Sequence, residues 1–232
     1  MDLPPQPPAD VPGPLPVPKT VRSRRMKKRL YGIGPAFVLI ASVAFYSLRQ
    51  AKQADRIHAL SNLREISHEL LEFESQYGRF PDDSTLTPVK AQDDTGLKFG
   101  TKTSNEYFRQ MLATGGKAEK IYFANILPRF FYPNDILGPK ALEKDECSFS
   151  YIPGLSSASA PGTPVVMTPL VPGTRKFDPK PFGKMATVLF ADGSAQTLPI
   201  DKNGDVILNG MNLFDPRQPF WRGKAPDIKW PE

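Results

Sequence analysis

The residues best placed to do chemistry form the run Asp201-Lys202-Asn203-Gly204-Asp205. Oxygen side chains at alternate positions around a glycine are how a short loop wraps calcium, so Asp201, Asn203 and Asp205 are the candidate ligands. The glutamate that closes an EF-hand at its twelfth position has no counterpart, because Asn212 stands there, and a hairpin turn explains the same residues. The two histidines, His58 and His68, are ten positions apart, about 80° off a common helix face at 100° per residue, so they form no ligand pair. His68-Glu69 lacks the second histidine of a metalloprotease helix, and Gly115-Gly116-Lys117 lacks the spacing and hydroxyl of a phosphate loop. Cys147 is the only cysteine, which excludes an intrachain disulfide and a thiolate metal cluster. Neither histidine lies beside a serine or cysteine motif, so the chain reads as a non-enzyme with no small-molecule substrate and, calcium aside, no cofactor.

The elements that carry these residues begin with an uncharged apolar run, Tyr31 to Leu48. As a helix, residues 30–48 span roughly 28 Å, close to the hydrocarbon thickness of a bilayer. Lys19, Arg22, Arg24, Arg25, Lys27, Lys28 and Arg29 precede the run, and the positive-inside tendency keeps such a segment cytoplasmic. Residues 1–30 carry seven basic residues against Asp2 and Asp10, a net +5 of the chain's +6, so the remainder is nearly neutral. That distribution argues against a nucleic-acid groove and for contact with anionic lipid. The expected localisation is a bacterial inner membrane, single-pass, with the N-terminus cytoplasmic and the C-terminal domain exported.

Residues 1–29 read as a disordered cytoplasmic tail, with eight prolines in the first 18 positions. Residues 30–48 read as the membrane helix and 49–80 as its exported continuation. Within that continuation Ile57, Leu60, Leu63, Ile66, Leu70, Phe73 and Tyr77 recur at steps of three and four and form one apolar stripe ending near Tyr77. Residues 81–232 read as a small exported α+β domain. A short helix is expected over Asn105 to Ala113 with Ser104 as its cap, and strands at Ile121–Ala124, Phe149–Ile152 and Val165–Thr168. Thr187–Ala191 and Ser194–Leu198 flank Asp192-Gly193, a tight antiparallel hairpin, and a second turn at Asn203-Gly204 precedes Val206 to Leu208. The fold class is therefore α+β, a long N-terminal helix packed on a small antiparallel sheet.

The run Phe37-Val38-Leu39-Ile40, then Ala59-Leu60-Ser61-Asn62-Leu63-Arg64-Glu65-Ile66 and Tyr77-Gly78-Arg79-Phe80-Pro81, resembles the N-terminal region of type IV pilin-like pseudopilins, including those of type II secretion systems. Val188-Leu189-Phe190-Ala191-Asp192-Gly193-Ser194, Thr103 to Gln110 and Tyr151 to Leu155 look like segments of the prepilin-like proteins of planctomycete and verrucomicrobial bacteria. The resemblance implies a pilin-like fold and a processing junction between Ala36 and Phe37. Family members usually carry glycine before the cut and glutamate at the fifth mature position, where this chain has Ala36 and Ala41. A signal peptidase cut after Ser42-Val43-Ala44 is a different route to a shortened N-terminus.

What the resemblance implies for function is a structural subunit in which Phe37, Leu39, Ile40, Ile57, Leu60 and Leu63 form an assembly helix. Its partners would be membrane lipid, other pilin-like subunits and secretion machinery, and it would be a minor component of a type II secretion or type IV pilus-like assembly. The different reading, which the missing glycine and glutamate favour, is an unprocessed, membrane-tethered binding module that presents its loops to an envelope partner.

Overall fold

With no glycine or proline between Arg49 and Gln76, nothing in the sequence interrupts a helix, and α1 runs Arg22–Tyr77. The computed structural model describes residues 22–232 except 117 and 127–132, with side chains described from residue 40 onward. Gly78 ends α1: at φ +76° it adopts the left-handed conformation that glycine tolerates, and its N–H donates to the Glu74 carbonyl at 2.7 Å. No helix among the described residues is long and apolar enough to cross a membrane. Of the expected 30–48 span, residues 30–39 lie outside the described side chains, and so do Ala36, Phe37 and Leu39. The proline-rich tail up to residue 21 also lies outside the described residues.

The chain divides into two units, Met1–Ser47 and Leu48–Glu232. In the first, every side chain from Ile40 to Ser47 is exposed. The second holds the core, and α1 contributes Ala59, Leu63, Ile66, Leu70 and Phe73 to it, all buried and spaced four, three, four and three. Leu63, Ile66, Leu70 and Phe73 belong to the expected stripe, with Tyr77 packed against the same core, and only at the N-terminal end does Ala59 take the place of Ile57 and Leu60. Ile57 and Leu60 lie about 120° and 60° from Leu63 at 100° per residue; Ile57 is accordingly 57% exposed and Leu60 only half-buried.

Two short helices follow, α2 (Leu86–Gln92) and α3 (Ser104–Ala113). The cap of α3 is Thr103, one residue before the expected Ser104, because only Thr103 has a glutamate three positions on. Its hydroxyl accepts from the Glu106 N–H, and the Glu106 carboxylate accepts from the Thr103 N–H at 3.2 Å. Tyr107, Phe108, Met111 and Leu112 are buried, as the periodicity requires. The expected strand at 121–124 is replaced by a 3-10 turn, Glu119–Tyr122. Two side-chain bonds curl this backbone onto α1 in place of a sheet: the Tyr122 hydroxyl donates to the Glu69 carboxylate, and Asn62 Nδ2 donates to the Phe123 carbonyl at 2.8 Å.

The sheet is four-stranded and antiparallel in sequence order, β1 (Ser150–Tyr151), β2 (Pro164–Thr168), β3 (Met185–Phe190) and β4 (Ala195–Pro199). β3 and β4 form the expected hairpin, closed by Phe190 N–H to the Ser194 carbonyl at 2.9 Å, with Gly193 at φ +79°. Between Pro164 and Val166 the register of β2 on β3 slips by one residue, a bulge that turns both Val165 and Val166 toward the α1 side. A separate pair, β5 (Ile207–Leu208) and β6 (Met211–Asn212), follows. On the outer edge of β1, Lys229 pairs with Tyr151 through bonds of 2.9 and 2.8 Å.

Two cores result, one on each face of the sheet. Tyr151, Val166 and Leu189 cluster with the α1 stripe, Tyr107, Phe108 and Tyr122. Met167, Ala186, Val188 and Phe190 cluster with Phe177, Phe214 and Trp221 from the C-terminal segments. The architecture is α+β, with a long helix and a small antiparallel sheet.

Candidate functional site

Of the residues expected to act in assembly, Ile40 (66% exposed) and Ile57 project from α1 into the open, and Leu60 is half-buried. Leu63 is fully buried in the chain's own core, which leaves none of its surface for a neighbouring subunit. Ala36, Phe37 and Leu39 lie outside the described side chains. Val43, Phe45, Tyr46 and Leu48 are each exposed by 60% or more, so α1 presents a run of apolar surface between residues 40 and 48.

The loop expected to hold calcium brings its three oxygen-bearing side chains onto one turn, and its geometry is that of a self-capped turn. Asp201 Oδ1 accepts from the N–H groups of Asn203 and Asp205, each at 2.8 Å, and Gly204 N–H donates to the Asp201 carbonyl at 3.2 Å. These backbone donors, that of Asp205 first, hold the Asp201 carboxyl below its ordinary value. Asp205 turns away to take the Lys176 ammonium on both oxygens at 2.7 Å and the Asn212 amide on Oδ1 at 2.6 Å. Asp205 is thus paired with a cation of the chain itself. Among the described residues no group of three or more His, Cys, Asp or Glu side chains is placed to hold a metal ion.

A cleft of about 590 Å³ lies beside α1. Asp55, His58, Asn62 and Glu65 line one wall, and Lys120, Ile121, Phe123, Asn125, Pro133 and Asp135 the other. The four α1 residues are spaced three, four and three, a polar stripe running alongside the apolar one. That spacing was readable in the sequence, but only folding shows what faces it. Asn125 Nδ2 bonds the Asp55 carboxylate at 3.2 Å across the cleft, Lys120 lies 3.7 Å from Asp135, and Asn62 is held by the backbone behind it. The volume is in the range of small-ligand sites. With three carboxylates against one ammonium, the cleft favours a cationic or hydrogen-bond-donating group, and it contains no nucleophile paired with a base.

His68 lies outside this cleft, and Cys147 is buried, with its Sγ 3.8 Å from the Ser104 hydroxyl. A cluster that sequence reasoning missed surrounds Glu119. This carboxylate is fully buried and accepts from the Ile136 N–H at 3.1 Å and from the Leu142 N–H. Burial, with Glu146 beside it, pushes the Glu119 carboxyl up to about 7. Its partners lie 17 to 27 positions away in sequence, so no local pattern could have marked it. Compared with known proteins, the chain matches no family model, and neither a curated protein nor a solved structure matches it significantly.

Proposed function

We propose that the chain is a single-pass, membrane-anchored structural protein of pilin-like type, in which α1 serves both as anchor and as the spine of an exported domain. One observation carries this reading. A single unbroken helix exposes Ile40, Val43, Phe45, Tyr46 and Leu48 over residues 40–48, then sinks Ala59, Leu63, Ile66, Leu70 and Phe73 into the core of the second unit. Apolar side chains exposed along nine successive residues cost free energy in water, of order 25 cal/mol per Å², which lipid or a neighbouring helix relieves. The basic cluster before the run supports a cytoplasmic N-terminus, and the motif order of the sequence supports subunit assembly in a secretion or pilus-like system.

The anchor is tested by reconstituting the full chain from detergent with phosphatidylethanolamine and phosphatidylglycerol vesicles and floating them on a density gradient. We expect the wild type to float and Ile40→Asp to float poorly while keeping its folded domain by circular dichroism. A wild-type chain left at the bottom of the gradient overturns the anchor. Assembly is read in the same vesicles by disulfide cross-linking of an Ile57→Cys variant, since Ile57 is exposed and Cys147 is buried. A cross-linked dimer supports assembly through α1. Flotation without cross-links favours the second reading, a tethered envelope binding module, which Ala36 and Ala41 support by departing from the processing and assembly residues of the family.

A further inference from the structure

We propose that Asn209, and not Asn203, is the asparagine at which the folded chain ages, its side-chain amide converting spontaneously to aspartate and isoaspartate through a ring closed by the Gly210 nitrogen. The chain holds two Asn-Gly pairs, Asn203-Gly204 and Asn209-Gly210, and both asparagines are exposed. A glycine after asparagine has no side chain to hinder its nitrogen from approaching Cγ, so by sequence alone the two pairs are equivalent. Folding makes them different.

The Gly204 N–H is spent on the Asp201 carbonyl at 3.2 Å. On either side of Gly204, the N–H groups of Asn203 and Asp205 are held at 2.8 Å by Asp201 Oδ1, so the whole turn is clamped by one aspartate. Asn209 and Gly210 are instead the two central residues of the hairpin between β5 and β6, at φ +51° and +78°. Positive φ at both places makes this a type I′ turn, in which the flanking residues Leu208 and Met211 pair with each other and the central N–H groups face solvent. Among the described residues the Gly210 N–H accordingly has no hydrogen-bond partner.

The chemistry needs only water and hydroxide. Hydroxide takes the Gly210 amide proton, the nitrogen attacks Asn209 Cγ, and the Cγ–Nδ2 bond breaks to release ammonia. Water then opens the five-membered imide at either carbonyl. The sum is asparagine plus water giving aspartate or isoaspartate plus ammonia, with no change of oxidation state. Isoaspartate routes the main chain through the former side chain and lengthens it by one methylene, in a turn built for two residues. The Leu208 and Met211 carbonyls that flank the insertion both accept from Nε2 of the fully buried Gln218, at 2.8 and 3.3 Å. The Gln218 carbonyl in turn accepts from the Trp221 N–H at 3.0 Å, so the lesion loosens an anchor of the second core.

The full chain in detergent is incubated at pH 8.5, folded in one series and unfolded in guanidinium chloride in the other. A protease that cuts before aspartate separates the two sites, because Asp205 lies between them, and mass spectrometry reads the change from amide to acid in each peptide. In the folded chain Asn209 should convert about fivefold faster than Asn203, the factor that one ordinary hydrogen bond on the Gly204 nitrogen is worth. In guanidinium the two rates should converge. Asp201→Ala, which releases the clamp, should raise the folded rate at Asn203 and leave that at Asn209 unchanged. Equal folded rates, or a faster Asn203, overturn the assignment. An Asn209 that stays intact in the folded chain overturns it too, and so does a difference that persists undiminished in guanidinium, which would trace to neighbouring residues and not to the turns. None of these outcomes depends on whether the chain is membrane-anchored.

Discussion

Asp201 illustrates how one residue's role depends on which donors reach it first. Oxygen donors alternating around Gly204 are equally good at wrapping a cation and at capping their own turn. Here two backbone N–H groups cap Asp201 at 2.8 Å, and Lys176 binds Asp205. The sequence showed the three oxygen side chains but not Lys176, which is 29 positions from Asp205 and arrives through the packing of two loops. We therefore expect the thermal midpoint of the full chain to be the same in millimolar calcium and in EDTA, whereas Asp201→Ala lowers it in both. The Asp201 effect has a pH signature. A carboxyl held below its ordinary 3.8 contributes stability above that value and loses it as the pH falls through the lower folded value. The Asp201→Ala difference should accordingly fade in acid, and a calcium-dependent midpoint would restore the metal reading.

For the helices and strands, legibility tracked how local each decision is. The β3–β4 hairpin was readable because Asp192-Gly193 supplies the left-handed position its turn demands. The end of α1 was readable because Gly78 supplies the same conformation at a helix terminus. Ile121–Ala124 was misread because a short apolar run has no period of its own, and Asn62 and Glu69 on α1 decided its shape. The Thr103 cap was missed by one residue although its Thr-x-x-Glu signature was present. The stripe of α1 was readable from Leu63 onward, and its N-terminal end, where Ala59 is buried in place of Ile57, is the departure with the largest energetic consequence. Ile66→Ala should cost about 2–5 kcal/mol of stability by opening a cavity in the core. Ile57→Ala, on a surface that a stripe through Ile57 would have buried, should stay within about 0.5 kcal/mol. Urea unfolding of the two variants separates the stripes, and equal losses would mean that Ile57 is packed.

In the molecule as a whole, the C-terminal segment was the least legible part, because it works only through partners far back in the chain. Ile228 joins the second core, Lys229 extends the sheet beside β1, the Trp230 carbonyl accepts from Ser104 N–H at 3.0 Å, and Glu232 meets Arg109, Asn105 and the Asp145 N–H. These contacts tie β1, α3 and the loop before β1 to residues that carry no pattern of their own. At roughly 1 kcal/mol net for each lost hydrogen bond, truncation before Lys229 should remove several kcal/mol, a large share of the 5–15 kcal/mol that holds a domain of this size. A urea midpoint unchanged by the truncation would show the segment to be ornamental. The pairing of Tyr151 with Lys229 also sets an order in time. The two residues are 78 positions apart, farther than any paired residues within the four-stranded sheet, so closing the β1 edge carries the sheet's largest loop-entropy cost and comes last.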